Sequence, residues 1–215
     1  MSSKRLPGKV LKELVGKPIL RHLIDNLNIN KSKLNLIIAT STETSDDPIQ
    51  SYCEENKYDF FRGDLNNVAS RFSACINKKK LDFFVRICAD SPLIDHRVVD
   101  EAVDEYQSQK YDLVTNVYPR SFPKGISCEV LNASVFTNTF LNISDPDDLE
   151  HVTKYFYNHK QLFKIKNISA REDYSNINFS CDTIDDYLRI EKILKKLDQP
   201  TSNYNYKQLA NFIEL

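Results

Sequence analysis

The run from Leu81 to Cys88, Leu-Asp-Phe-Phe-Val-Arg-Ile-Cys, carries the strongest strand signal in the chain and stops abruptly at Ala89-Asp90-Ser91-Pro92. A run this apolar has to be covered on both faces, as strands of a parallel α/β sheet are. Shorter runs repeat the theme: Leu34–Ala39, Asp59–Phe61, Asp112–Asn116, Glu129–Leu131, Phe163–Ile168 and Asn176–Cys181 read as strands. Helical stripes lie between them. Ile19, Leu20, Leu23, Ile24 and Leu27 mark one helix with Pro18 at its first position. Further helices are predicted over Asp47–Glu55, Asn67–Ile76, from a capping Asp95 toward Gln107, over Leu149–His159 and over Thr183–Leu197. Strand–helix alternation implies a mostly parallel, Rossmann-like sheet with helices on both faces, and such sheets bind ligands at the carboxyl ends of their strands. With 215 residues the chain has room for one domain, residues 1–215, but not for two comfortable ones. The stretch Pro119–Gly125 is the expected mobile loop.

Charge excludes several partners. Twenty-nine Lys and Arg nearly balance thirty Asp and Glu, a formal net charge of -1, so no global field would hold the chain on nucleic acid or an anionic membrane. Anions must be met locally. There is no apolar run of transmembrane length and no secretory n-region/h-region at the start. Five cysteines without CxxC spacing read as reduced, buried thiols of a cytoplasmic protein rather than as a zinc site.

The opening, Ser2-Ser3-Lys4-Arg5-Leu6-Pro7-Gly8-Lys9, is where an anion would be met. Arg5 and Lys9 flank a Leu-Pro-Gly turn, and the small Ser2 and Ser3 let backbone N–H groups approach a ligand, as a triphosphate requires. Asp90 and Asp182 each end a predicted strand at the same sheet edge. Each by itself is a strand terminator or helix cap; together over a phosphate loop they form a hard-oxygen pair suited to Mg²⁺. Arg86, Cys88 and Asp90 share one strand face. Arg86 must therefore be paired with a carboxylate or turned to a ligand. Asp185 or Asp186 would favour the positive start of the last long helix.

The opening loop, Gly16-Lys17-Pro18-Ile19, Arg62-Gly63, Arg71, Val85–Asp95, Phe122-Pro123-Lys124-Gly125, Glu150-His151-Val152-Thr153 and Cys181-Asp182-Thr183 occur in the order found in the sugar cytidylyltransferases, and the chain resembles that family over nearly its whole length. The likeness is to the CMP-KDO and CMP-sialic acid synthetases, and most to their spore-coat polysaccharide cytidylyltransferase-like branch. It implies a three-layer α/β/α nucleotide-diphospho-sugar transferase-like fold. It also implies Mg²⁺-dependent transfer of CMP from CTP to a sugar acid or related small acceptor, with loss of pyrophosphate, in activated-sugar and surface polysaccharide biosynthesis. Carried over position by position, the resemblance makes Arg5, Lys9 and Asp90 catalytic and puts the metal on Asp90 and Asp182. Ser2, Ser3, Arg5, Lys9, Arg71 and Arg86 fall on the nucleotide, although Arg71 also reads as a solvated helix residue. Glu129, Glu150 and His151 fall on the acceptor side. No sequence neighbour pairs His151 with a nucleophile, so a general-base role is not assigned to it. The branch usually has an acidic residue near Ser127, where this chain has none. A homodimer is left open.

The family pattern places a short central strand immediately before the loop, and this chain begins inside the loop. The expectation is a sheet lacking its first central strand, open between Leu34–Ala39 and Leu81–Cys88. The opening loop should then be poorly anchored, and the chain unstable or weakly active. Two rival functions remain at this stage. One is a glycosyltransferase of similar sheet architecture, against which stands the lack of a clear Asp-x-Asp at Asp90-Ser91. The other is a non-catalytic binding subunit.

Overall fold

The computed structural model describes residues 1, 5–29 and 34–213. In chain order they form β1 (Glu13–Leu14), β2 (Lys17–Pro18), α1 (Ile19–Leu27), β3 (Ile37–Ser41), α2 (Asp47–Asn56), β4 (Asp59–Gly63), α3 (Val68–Lys79), β5 (Phe83–Arg86) and α4 (His96–Ser108). Then follow β6 (Leu113–Thr115), β7 (Glu129–Asn132), α5 (Ala133–Phe140), α6 (Pro146–Glu150), α7 (Lys154–Asn158), β8 (Ile165–Asn167), α8 (Ile184–Lys196) and α9 (Tyr206–Ala210).

Strands β3 and β4 pair in parallel, from Ile37 opposite Asp59 to Ser41 opposite Gly63. A second ladder has the order β5-β7-β6-β8, with β6 and β8 parallel and β7 antiparallel to both its neighbours. The reversal of β7 has a simple cause. Residues 116–128 contain no helix, so the chain turns at the carboxyl edge of β6 and comes straight back, whereas a parallel return would need a crossover. The two-residue period then serves both faces. Val114 and Val130 enter the core under α1, α4 and α8, while Leu113, Leu131 and Phe84 enter the core formed with α3, α5 and α7. The result is the expected three-layer α/β architecture. β3 and β5, the runs expected to flank a missing strand, share no ladder among the described residues.

Helix caps fall largely where the side chains predict. Asn67 accepts from Ser70 N, Asp95 from Arg97 N, and Thr183 forms a reciprocal capping box with Asp186. Other expectations are corrected. Pro18 ends β2 and precedes α1 instead of opening it. The helix expected over 149–159 is two short ones, α6 and α7, because Asp145 caps the first and fully buried Val152 turns into the core between them. Asn176–Cys181 is not a strand. Asn178 takes its neighbours' bonds onto its own side chain, with Ser180 N and Oγ both donating to Asn178 Oδ1, and only one isolated bridge, Lys124 to Asn178, remains. Helix α5 carries no strong stripe and emerges only in the structure.

Two segments are better fixed than expected. Leu6 is buried, Lys9 N donates to Leu6 O at 3.2 Å, and Gly8 at φ 68 opens a 3₁₀ turn over Lys9–Leu11, so the described part of the opening loop is anchored. In Pro119–Gly125, Phe122 is buried, and Lys124 N and O bond Ile177 O and Phe179 N at 2.9 and 2.7 Å. Gly125 has φ 84, and a Cβ there would lie 2.5 Å from the Phe179 carbonyl carbon. Gly125→Ala should therefore cost about 1–3 kcal/mol in backbone strain alone, seen as a fall of several degrees in the thermal midpoint. An unchanged midpoint would show that this crossing is not tight.

Candidate active site

One backbone hydrogen bond sets the centre. Cys181 N donates to Asp90 O at 2.8 Å, which ties the end of the β5 segment to the residue before Asp182 and brings the two carboxylates to one point. Lys9 fills that point. Its Nζ donates to Asp90 Oδ2 at 2.6 Å and to Asp182 Oδ1 at 2.7 Å, and its side chain is only 15% exposed. Burial by itself would depress the Lys9 pKa, but Asp90 and Asp182 outweigh it and hold the ammonium above its ordinary value. Arg5 reaches the same Asp182 oxygen at 3.4 Å while remaining mostly in solvent. Asp182 is held from behind, since Asp186 Oδ2 accepts from Asp182 N and Thr183 N. Asp186 itself pairs with Arg189 at 2.5 Å, so it positions the turn rather than facing the centre.

A second charged group adjoins the first. Arg86 Nη1 donates to Glu129 Oε2 at 2.5 Å across the β5–β7 pair, and the Tyr157 hydroxyl donates to Glu129 Oε1. Of the two sequence alternatives for Arg86, the carboxylate partner is the observed one. Burial would lower the Arg86 pKa, and Glu129 more than reverses this; burial and Glu129 together raise that of Tyr157. Arg120 completes the group with a difference. Its Nη1 donates to Ser127 Oγ at 3.1 Å and to Pro123 O at 3.4 Å, and it has no carboxylate partner within ion-pair distance among the described residues. Burial pulls its pKa down against the attraction of Glu129. Cys88 lies between the two groups, within electrostatic reach of Arg86, Asp90, Glu129 and Lys9.

A buried lysine held between two carboxylates, beside a second ionic group, is an arrangement able to hold an anionic ligand. Residues 1–214 match the cytidylyltransferase family. The chain belongs to that family. It is 30% identical over 203 residues to the spore coat polysaccharide biosynthesis protein SpsF of Bacillus subtilis, covering 91% of this chain and 83% of that one. The fold matches a cytidylyltransferase from Leptospira borgpetersenii with a TM-score of 0.94 at 26% identity, covering 100% of this chain and 90% of the other. It also matches a CMP-2-keto-3-deoxy-manno-octonic acid synthetase solved with CTP, with a TM-score of 0.68 at 14% identity, covering 91% and 95%. The protein is thus a nucleotidyltransferase of the sugar and polysaccharide cytidylyltransferase class.

The remaining sequence candidates of this cytidylyltransferase are placed as follows. Ser2 and Ser3 lie outside the described residues. Arg71 Nη1 donates to Asp64 O at 2.7 Å, while its Nε is buried without a hydrogen-bond partner among the described residues. Arg62 is a latch between β4 and α2, paired with Asp47 at 2.7 Å. Glu150 and His151 are exposed at the end of α6, where His151 Nε2 lies 3.4 Å from Asp147, and neither bonds to the Glu129 group. Tyr157 and Arg120 have no sequence signal of their own: the one falls inside the helix expected over 149–159 and the other in the expected mobile loop. No helix of the described residues is long and apolar enough to cross a membrane.

Glu129 is 2% exposed and Arg86 keeps 23% of its side chain exposed. Glu129→Ala leaves that arginine without its counterion and should cost about 3 kcal/mol, the low end for a broken buried pair. Denaturant melts of Glu129→Ala and of the Arg86→Met/Glu129→Leu double variant check this, the double variant being the more stable.

Proposed function

We propose that the protein transfers CMP from CTP to a small anionic acceptor of the sugar-acid class. An acceptor hydroxyl oxygen forms a bond to the α-phosphorus, the bond from that phosphorus to the β-phosphate oxygen breaks, pyrophosphate leaves and the hydroxyl proton passes to solvent. The observation that carries this reading is the convergence of Lys9, Arg5, Asp90 and Asp182 on one point at the sheet edge. Lys9 and Arg5 neutralise the outer phosphates as charge builds on the leaving group. Ser2, Ser3 and Arg71 bind the rest of the nucleotide, and the partnerless Arg71 Nε supports a ligand there.

The donor set at the centre fits a hard divalent cation, Mg²⁺ by our reading. Two carboxylate oxygens already converge on one cationic nitrogen, and Asp90 and Asp182 keep 22% and 32% of their side chains open to solvent, as an ion that retains waters requires. When bound, such an ion polarises a phosphoryl oxygen and lowers the pKa of the attacking hydroxyl. His151 is given no proton-transfer role. It is more than half exposed and beside Asp147.

The acceptor is read from the second group. Arg86 and Arg120 against Glu129 leave one positive charge, and Arg120 bonds to the neutral Ser127 hydroxyl and the Pro123 carbonyl, near the place where the resembling branch carries an acid. A carboxylate on the acceptor would complete that balance. The five free thiols suit the cytoplasm, where CTP is made.

Pyrophosphate release from CTP, magnesium and a panel of sugar acids tests the reading, and release no faster than the blank would overturn it. Asp90→Asn and Asp182→Asn should each lose most of the rate while keeping the wild-type circular dichroism spectrum. For the acceptor, Arg120→Gln should raise the acceptor KM by about 10–100-fold, the worth of one charge-assisted bond of about 1.5–3 kcal/mol. The KM for CTP should stay as it was; a rise in both would remove Arg120 from the acceptor site.

A further inference from the structure

Lys9 does more in this structure than wait for phosphate. Its ammonium makes no hydrogen bond or ion pair other than those to Asp90 and Asp182 among the described residues, and both are short. Its position is fixed by backbone. Lys9 N bonds Leu6 O, and the carbonyl of Gly8 accepts from Leu11 N and Lys12 N at 3.0 and 3.1 Å. The ammonium thus sits at the one point where both carboxylates converge, the point at which a divalent cation would be held.

Charge makes the two occupants exclusive. Asp90 and Asp182 are balanced by Lys9 and Arg5, so the group is locally neutral. A bare divalent ion would add two positive charges to it and push the Lys9 ammonium, on a side chain only 15% exposed, away from the two carboxylates that are its ion-pair partners among the described residues. A triphosphate changes both terms. It brings the negative charge the ion lacks, and its outer oxygens offer Lys9 a new acceptor.

We propose that Lys9 is an internal stand-in for the metal, so that nucleotide-free protein takes up divalent cations poorly and admits one only together with a nucleoside triphosphate that draws the ammonium off the carboxylates. This rests on the metal reading of Asp90 and Asp182 given above. It assigns Lys9 a second role, that of setting the order in which metal and nucleotide load. It also accounts for the absence of a standing carboxylate repulsion in the unliganded site, since the two aspartates are never left to face each other unneutralised.

Titration of the full chain with Mn²⁺ alone, read by loss of the free-ion electron paramagnetic resonance signal, tests the inference without any turnover. Lys9→Met keeps the apolar stem and removes the charge; it should bind Mn²⁺ about tenfold or more tighter than the wild type, a difference of about 1.4 kcal/mol or more. Lys9→Gln, which keeps a hydrogen-bond donor, should behave the same way and serves if the methionine variant folds poorly. Mn²⁺ should also raise the thermal midpoint of either variant more than that of the wild type. Adding Asp90→Asn to either should abolish the gain. Equal or weaker Mn²⁺ binding by both charge-free variants would overturn the stand-in role alone. No uptake by any of them, nor by wild type with CTP, would overturn the metal reading as well.

Discussion

Two carboxylates cannot be pressed together at the edge of a sheet without a cation between them, and this constraint orders much of the molecule. The Cys181 N to Asp90 O bond places the aspartates side by side. Like charges at that distance in a part-buried site repel by several kcal/mol unless neutralised. Lys9 supplies the neutralisation from the other end of the chain, 81 residues from Asp90 and 173 from Asp182. The opening loop is consequently held by charge at Lys9 and by burial at Leu6, which is why its described part is ordered against the rest without a ladder of its own. Asp186 and Arg189 then fix the backbone that carries Asp182.

The second charged group follows from strand direction. Because β7 runs opposite to β5 and β6, its first residue lies at their carboxyl ends, and Glu129 comes to stand opposite Arg86 and Thr115. A parallel β7 would have delivered its last residue there instead. One reversed strand thus puts a buried acid into a sheet edge otherwise lined by strand ends. Tyr157 reaches it from α7, bridging Glu129 and Thr115 Oγ1, and Tyr118 stacks on the Tyr157 ring at 4.8 Å. The acid is therefore satisfied on both oxygens before any ligand arrives, and the site's spare capacity is on Arg120.

What was legible in the sequence was what depends on local pattern. The stripe of α1, the cap at Asp95, the helix starts at Asn67 and Thr183, and the strand ending short of Asp90 follow from period, side-chain acceptors and a sudden loss of apolar residues. What was not legible depends on partners far away in the chain. Nothing near Glu129 announces an antiparallel strand, because direction is decided by whether residues 116–128 cross over or turn back. Asn176–Cys181 has the alternation of a strand, but Asn178 and Ser180 divert the bonds a ladder needs. Val152 breaks a helical stripe because the core accepts it there, a tertiary demand that local preference does not contain. At the site, Lys9, Asp90 and Asp182 were readable from a family pattern, whereas the ammonium standing on both carboxylates was not.

The two groups lie four residues apart along one segment, at Arg86 on the last residue of β5 and at Asp90 in the turn beyond it. Arg86 points into the Glu129 group, Asp90 into the Lys9 group, and Cys88 lies between them on the same face. On the acceptor reading proposed above, a molecule anchored by an anionic group near Arg120 would lay its far end toward Asp90. The neutral, half-buried Cys88 thiol offers neither charge nor a strong hydrogen bond. On that reading, the reach of the acceptor would be matched to the spacing of two ionic groups, each held in place by its own hydrogen bonds.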